Sequence, residues 1–440
     1  MNTVACFRAP RLLLPRQGLD LTRWCVIACD QYTSEPAYWS RVAGEVGDAP
    51  STLHMIFPEV HLAADDKALR VERIHEAMRR GLAQGWLRGH DGLVLVERRL
   101  PDGRVRPGLM LELDLEHYDY AASSQSLIRP TEGTIVERIA PRLQVREGAE
   151  LELPHILVLI DDPGGTVIEP LAAARAHLQP LYDTALMLHG GRVAGWAPDA
   201  ALQAQALQAL HALADGPAFA ARHGLPAGAP PMQFAMGDGN HSLATAKACW
   251  ERLKAGGAGP AHPARWALVE VENIHDPALE FAPIHRLLLG VQGDLRDALR
   301  AHFGSRVQLI EQPDIAALRS ALAAQPRSVH AAGLVQAAGR LALVVLHDMP
   351  AAQLDVASFQ GFVEAAIAGG LAREVDYVHG DEALAQLASA PGAAGLHLAT
   401  LGKSELIARV AQHGPLPLKS FSMGEADEKR FYLEARRIRP

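Results

Sequence analysis

With 440 residues, 49% of them hydrophobic and 21% charged, the chain has the make-up of an ordinary globular protein and room for two or three domains. Its formal net charge of −8 argues against a molecule devoted to the nucleic-acid backbone, which normally needs a clustered basic excess. No apolar run approaches the roughly 20 residues needed to span a bilayer, so no membrane partner is expected. The start of the chain lacks the features of a secretory signal, and the expected location is cytoplasmic. Cys6, Cys25, Cys29 and Cys249 are too scattered for a disulfide scaffold and lack the second pair a zinc site needs. Buried reduced thiols are expected.

Leu93–Val96 and Leu109–Leu113 flank Leu100-Pro101-Asp102-Gly103-Arg104, a pattern that predicts a β-hairpin with a Pro-Asp-Gly turn. The apolar run 153–160 predicts a strand buried on both faces. From there strands and helices alternate: strand 184–188, helix 199–214, strand 232–236, helix 243–254 and strand 266–271. Beyond Pro283-Ile284-His285-Arg286 the pattern restarts with helix 294–302, strand 306–310 and helix 314–324. A second hairpin follows, turning near Ala337-Ala338-Gly339-Arg340. The rhythm predicts an α/β protein (mixed α+β) with mixed sheets and flanking helices. Gly/Pro-rich stretches at 215–231 and 256–263, with a softer boundary near 290, suggest three segments: 1–150, 151–290 and 291–440.

The sharpest local signal is Gly237-Asp238-Gly239-Asn240-His241-Ser242, between a predicted strand and a predicted helix. Two glycines let a ligand approach the backbone, and Ser242 is suited to capping the helix. The first-turn amides then offer an anion site at the positive end of the helix dipole. His241 adds a donor that titrates near neutral pH, and Asp238 suits a Mg²⁺ ion or a substrate proton. An ordinary strand-to-helix turn accounts for the same residue types. Arg129, Glu132, Arg138 and Arg142 form a second cluster, suited to phosphate or carboxylate but equally to a solvated, ion-paired face. Asp30 sits among polar residues at the end of the apolar Cys25-Val26-Ile27, where α/β sites tend to lie, although a helix start at Ser34-Glu35-Pro36 explains these residues too. His285, Arg286, Lys419 and Ser420 are weaker candidates for binding a cofactor.

Cys29-Asp30-Gln31-Tyr32-Thr33-Ser34-Glu35-Pro36, Arg129-Pro130-Thr131-Glu132-Gly133-Thr134, the Gly237–Ser242 turn and Lys419-Ser420-Phe421-Ser422-Met423-Gly424 together resemble the domain-of-unknown-function 1015 family. The likeness runs from about residue 7 to 437. Most members carry Asp-Gly-His-His-Arg where this chain has Asp238-Gly239-Asn240-His241-Ser242. That turn is similar to the signature of the ParB/sulfiredoxin superfamily, which includes nucleotide-dependent partition proteins and free serine kinases.

The resemblance implies a ParB/sulfiredoxin-like element around the turn, ATP or ADP with Mg²⁺ as cofactors, and a link to serine metabolism. It points to a nucleotide-dependent phosphotransferase acting on a small hydroxyl substrate such as free L-serine or phosphoserine. In that reading His241, Asp238, Asp30 and Glu132 are the catalytic candidates, with Asp238 also the metal ligand. Gly237, Gly239, Asn240, Ser242, Arg129, Arg138, His285, Arg286, Lys419 and Ser420 are the binding candidates. Because Ser242 replaces the terminal Arg, a phosphate would need a cation from elsewhere, for example Arg286 or Lys419. The rival reading is a nucleotide-binding regulatory module without turnover.

Overall fold

A computed structural model describes residues 5–326, 328–350 and 353–440. The chain forms two compact units. The first contains the residues up to Glu280 together with Ile407–Pro415 and Gly424–Pro440; the second contains Phe281–Leu406 and Leu416–Met423.

The first unit is built on a nine-stranded mixed sheet. Its strands are β1 (Phe7–Arg8), β2 (Val94–Arg99), β3 (Val105–Asp114), β4 (Ile128–Arg129), β5 (Leu157–Ile160), β6 (Gln179–Ala185), β7 (Arg192–Ala197), β8 (Phe234–Asp238) and β9 (Trp266–Asn273). They lie in the order β4-β8-β5-β9-β3-β2-β7-β6, with β1 also paired to β3. The β8–β4 and β9–β5 pairs are parallel and the others antiparallel. Strands from 1–150 and from 151–290 therefore share one sheet.

Successive side chains of a strand point to opposite faces. Val94, Val96, Met110 and Leu268 join a core with Trp24, Trp39 and Phe431. Their neighbours Leu93, Leu95, Leu109, Leu111 and Val269 join another with Phe234 and Trp250. Cover on both faces is why these strands read as near-continuous apolar runs. The β2–β3 hairpin turns through Pro101-Asp102-Gly103, where Gly103 takes φ 94° and the Asp102 carboxylate accepts the Arg104 amide at 2.9 Å. The helices used below are α1 (Lys67–Ala83), α2 (Ile139–Glu147), α3 (Ala200–Ala212) and α4 (Asn240–Ala255).

Expected boundaries shift by a few residues, and in three places the cause is local. The strand in 153–160 begins only at Leu157, because Pro154 and His155 form a loop before it. The strand expected at 184–188 is β6, ending at Ala185, since Leu188 and His189 take positive φ in the turn to β7. The helix expected from 243 begins at Asn240.

The segment 424–440 is tied to this sheet by buried charge. Arg430 Nε meets Glu270 Oε2 at 2.7 Å and its Nη2 meets Glu434 Oε2 at 2.7 Å. Arg436 Nη2 meets Glu152 Oε1 at 2.7 Å. All five side chains are less than 10% exposed. Removing one partner from such a set strands a buried charge.

The second unit carries a seven-stranded antiparallel sheet. Its strands are β10 (Phe281–Leu289), β11 (Val307–Gln312), β12 (His330–Gln336), β13 (Arg340–Leu346), β14 (Glu374–His379), β15 (Ala393–Leu398) and β16 (Phe421–Met423). The order is β11-β13-β12-β15-β10-β14, with β16 paired to β10. Its helices are α5 (Leu295–Phe303), α6 (Ile315–Ala323), α7 (Asp355–Ala368) and α8 (Asp381–Ala388). The 337–339 hairpin joins β12 to β13. No helix among the described residues is long and apolar enough to cross a membrane. The four cysteines form no disulfide; Cys6, Cys25 and Cys249 are buried and Cys29 is partly so.

Candidate functional site

The Gly237–Ser242 turn links β8 to α4, as its composition predicts, but it works differently in detail. Pairing of β8 with β5 shifts register between Met236 and Asp238, so Gly237 is the extra residue of a bulge that re-aims the strand end. Gly239 takes φ 77° and ψ 27° and is itself the residue preceding the helix. A Cβ there would lie 3.1 Å from the Cα of Ile156, so its missing side chain permits packing against the 153–156 loop. The expected use, approach of a ligand, is not what this glycine's bare face serves. Nor is Ser242 the cap: it lies inside α4 and its Oγ is 2.9 Å from His155 Nε2.

The amides are also partly engaged. Gly239 N–H donates to Asp238 Oδ1 at 2.8 Å, while Ser242 and Leu243 N–H both donate to the Gly239 carbonyl. An anion cradle here is therefore narrower than the spacing suggests. Asn240 Oδ1 is buried without a hydrogen-bond partner.

Charge enters from residues that sequence spacing does not connect. Lys429 Nζ lies 3.2 Å from Asp238 Oδ2. Burial alone would raise the Asp238 carboxyl, but Lys429 and His155 outweigh it and hold the group below its ordinary value. His155 Nε2 is 3.7 Å from Asp30 Oδ2, and its Nδ1 is 2.7 Å from the Tyr432 hydroxyl. That hydroxyl accepts the Cys29 amide at 3.0 Å, which leaves its own hydrogen for His155 Nδ1. With Nδ1 facing that hydroxyl, Nε2 is the nitrogen that faces Ser242 and Asp30. The 153–156 loop is held in place by Arg430 Nη1 on the Pro154 carbonyl at 3.1 Å.

The other expected residues are placed as follows. His241 Nε2 accepts the Ile135 amide at 3.3 Å, so that nitrogen is not a ready base or cation, contrary to its expected role. Thr131 Oγ1 donates to the Met236 carbonyl at 2.6 Å, fixing the loop after β4 beside β8, and Glu132 follows it, half-buried. Arg129 is buried, with its guanidinium on the carbonyls of Ser126, Pro230 and Pro231, so it serves the backbone. Arg138 is exposed and its carbonyl accepts Arg142 Nη1. Arg142 instead pairs with Glu59, whose amide donates to the Cys29 carbonyl.

A cavity of about 150 Å³ opens beside this cluster. His155, Ser242, Glu59, Arg142 and Tyr432 contribute to its wall, and so do Met55, Phe57, Leu62, Met78, Val145 and Leu153.

His285, Arg286, Lys419 and Ser420 belong to the second unit. Arg286 is fully buried over the Tyr377 ring, and its guanidinium donates to Gln360 Oε1 and to the carbonyls of Ile284 and Lys419. Its expected task as a phosphate cation gives way to binding the 416–420 backbone. Lys419 takes φ 59°, and Ser420 Oγ donates to the Pro417 carbonyl at 2.6 Å.

His285 and His397 stack with centroids 4.3 Å apart, and each Nε2 is 3.0 Å from Asp381 Oδ1. The three could in principle enclose a metal ion. However, the Leu398 amide donates to His285 Nδ1 at 3.1 Å, which puts the ring hydrogen on Nε2, facing Asp381. Such a ring offers no lone pair to a metal. Arg319 Nε on Asp381 Oδ2 at 2.9 Å completes a carboxylate already supplied with donors. Burial, then the neighbouring His397, pushes His285 down to about 4, so it is neutral near pH 7.

A buried lysine on a partly exposed carboxylate, beside a histidine relay at a strand-to-helix turn of a mixed α/β sheet, defines a candidate anion-handling site. The chain belongs to the family described as protein of unknown function (DUF1015), whose model matches residues 13–358. No curated protein matches it. Among solved structures it is similar to a free serine kinase variant in complex with AMP, at 10% identity and TM-score 0.39, covering 75% of this chain and 92% of that one. It is also similar to a free serine kinase variant in complex with ADP, at 11% identity and TM-score 0.38, covering 75% and 92%. A third is SbnI with C-terminal truncation from Staphylococcus aureus, at 13% identity and TM-score 0.34, covering 71% and 84%. At such distances the chain's own residues must carry any functional argument.

Proposed function

We propose that this protein is a Mg²⁺-dependent phosphotransferase that moves the terminal phosphoryl group of ATP or ADP to a small hydroxyl compound, with L-serine the first acceptor to test. The observation that carries this reading is the convergence of Asp30, Ser242, His155, Asp238 and Lys429 beside a cavity of about 150 Å³. Phosphoryl transfer needs positioning and charge neutralisation more than covalent help. Lys429 supplies positive charge for phosphate oxygens, and the His155 N–H supplies a hydrogen bond. Asp30 takes the proton of the attacking hydroxyl. The acceptor oxygen forms the new bond to phosphorus, the bond to the bridging oxygen breaks, and the nucleotide leaves one phosphate shorter.

The donors fit a hard cation. Asp238, held anionic, and Asn240 Oδ1, buried without a partner, would hold Mg²⁺, with phosphate oxygens and water completing its shell. Bound there, the ion neutralises charge on the phosphates. The test is ³¹P NMR of protein with Mg²⁺, ATP or ADP, and L-serine or phosphoserine. A new phosphate-ester signal that disappears in Asp30→Asn supports the reading. Nucleotide binding with no transfer in either direction to any hydroxyl acceptor would instead leave a regulatory module.

A further inference from the structure

We infer that the acceptor has an apolar body attached to its hydroxyl group, and that the apolar part of the cavity is what selects it. This rests on the phosphotransferase reading for its chemistry, but the cavity makes its own argument. Met55 and Phe57 contribute to the wall together with Met78 from α1, Val145 from α2, and Leu153 from the loop before β5. The charged groups in the same wall come as pairs: Arg142 with Glu59, and Arg146 Nη2 with Glu152 Oε2 at 2.5 Å. Glu152 also takes Arg436 on its other oxygen, so every charged group in the wall already faces an opposite charge and none is left over for a guest. A zwitterion as small and polar as serine leaves most of this apolar surface uncovered, while an aliphatic or aryl group covers it.

Size agrees. An apolar cavity of about 150 Å³ accepts a body the size of a benzene ring. His155 and Ser242 belong both to the cavity wall and to the polar cluster, so a hydroxyl at that end lies beside the proposed base while its apolar body occupies the rest.

The experiment compares L-serine and L-threonine with 3-methylbutan-1-ol and benzyl alcohol on the full chain. Binding is followed by ligand-observed NMR without nucleotide, and phosphate-ester formation by ³¹P NMR with Mg²⁺ and ATP or ADP. The apolar alcohols are expected to bind at least about tenfold more tightly than serine, and to be the better acceptors. Val145→Phe, which narrows the chamber, should weaken their binding by at least about tenfold, and Met78→Ala should shift the preference toward a larger body.

Transfer to serine with no binding of apolar alcohols overturns this inference and leaves the phosphotransferase standing. Binding of the apolar alcohols, lost in a folded Val145→Phe, with no transfer to any acceptor keeps the ligand class and removes the phosphotransferase. Neither binding nor transfer removes both. A folded Val145→Phe and a folded Met78→Ala that both keep the original preference also overturn the inference.

Discussion

Lys429 places its Nζ 3.2 Å from Asp238 Oδ2, so the carboxylate at the end of β8 depends on a residue from the far end of the sequence. Burial by itself would favour the protonated acid; the ammonium group and His155 reverse that preference. A carboxyl held low in the folded state contributes stability above its unfolded value, and that contribution is lost as pH falls through the folded value. Lys429→Met should therefore lower stability at pH 7 by on the order of 1–3 kcal/mol and flatten the acid limb of the profile. Urea unfolding across pH 3–7 measures both effects. In the proposed reaction, the same variant should weaken nucleotide binding by about tenfold.

Gly239 holds a left-handed conformation, and a Cβ there would stand 3.1 Å from the Ile156 Cα, close enough that Ile156 has to yield slightly. Gly239→Ala should cost about 1–2 kcal/mol from the backbone alone, with a further cost from displacing Ile156. Because Ile156 adjoins His155, the His155 ring resonances should move as well. Thermal unfolding and imidazole NMR test the two halves separately.

Arg430 is buried and contacts Glu270, Glu434 and the Pro154 carbonyl. Arg430→Met should destabilise the first unit by about 3–5 kcal/mol, because two carboxylates lose their partner in the core. Denaturant titration, followed by tryptophan fluorescence, reads this directly. A loss below about 1 kcal/mol would mean that the network is not needed for the fold.

His285 is neutral in the folded protein, with its ring among Asp381, His397 and His379. A depressed imidazole leaves the unfolded chain binding more protons, so stability rises with pH. The second unit should therefore lose stability as pH drops from about 6.5 to about 4, by on the order of 2–3 kcal/mol. His285→Phe should remove most of this slope. Circular dichroism at fixed urea, stepped through that range, provides the measurement.

The parts of the fold legible in the sequence were those written in local pattern. The β2–β3 hairpin shows in two apolar runs on either side of Pro101-Asp102-Gly103, and the β8–α4 turn shows in its glycines. The start of α4 was misread because a capping serine is a common signal, whereas a left-handed Gly239 shifts the helix start upstream. Asp30 follows the apolar Cys25-Val26-Ile27, which forms an isolated bridge at Ile27 and not the strand its composition suggests. Asp238 was recognisable as a polar group at a strand end and Ser242 as part of the turn after it. His155, Lys429 and Tyr432 were not, since nothing local to a lone His after Pro154, or a Lys in the final segment, indicates what it meets across the sheet. Arg129 and Arg286 looked like phosphate cations because sequence shows a guanidinium's charge but not the backbone carbonyls it binds.

The attachments of residues 429–436 have a consequence for how the molecule comes into being. Asp238, Glu270, His155 and Glu152 all await partners from that stretch, which the ribosome delivers only after the entire second unit has been made. Until then the larger unit lacks Lys429, Arg430 and Arg436, the cations that Asp238, Glu270 and Glu152 meet, while the smaller one has its whole chain. The larger unit's buried ion pairs are therefore completed only after every residue of the smaller unit has been made.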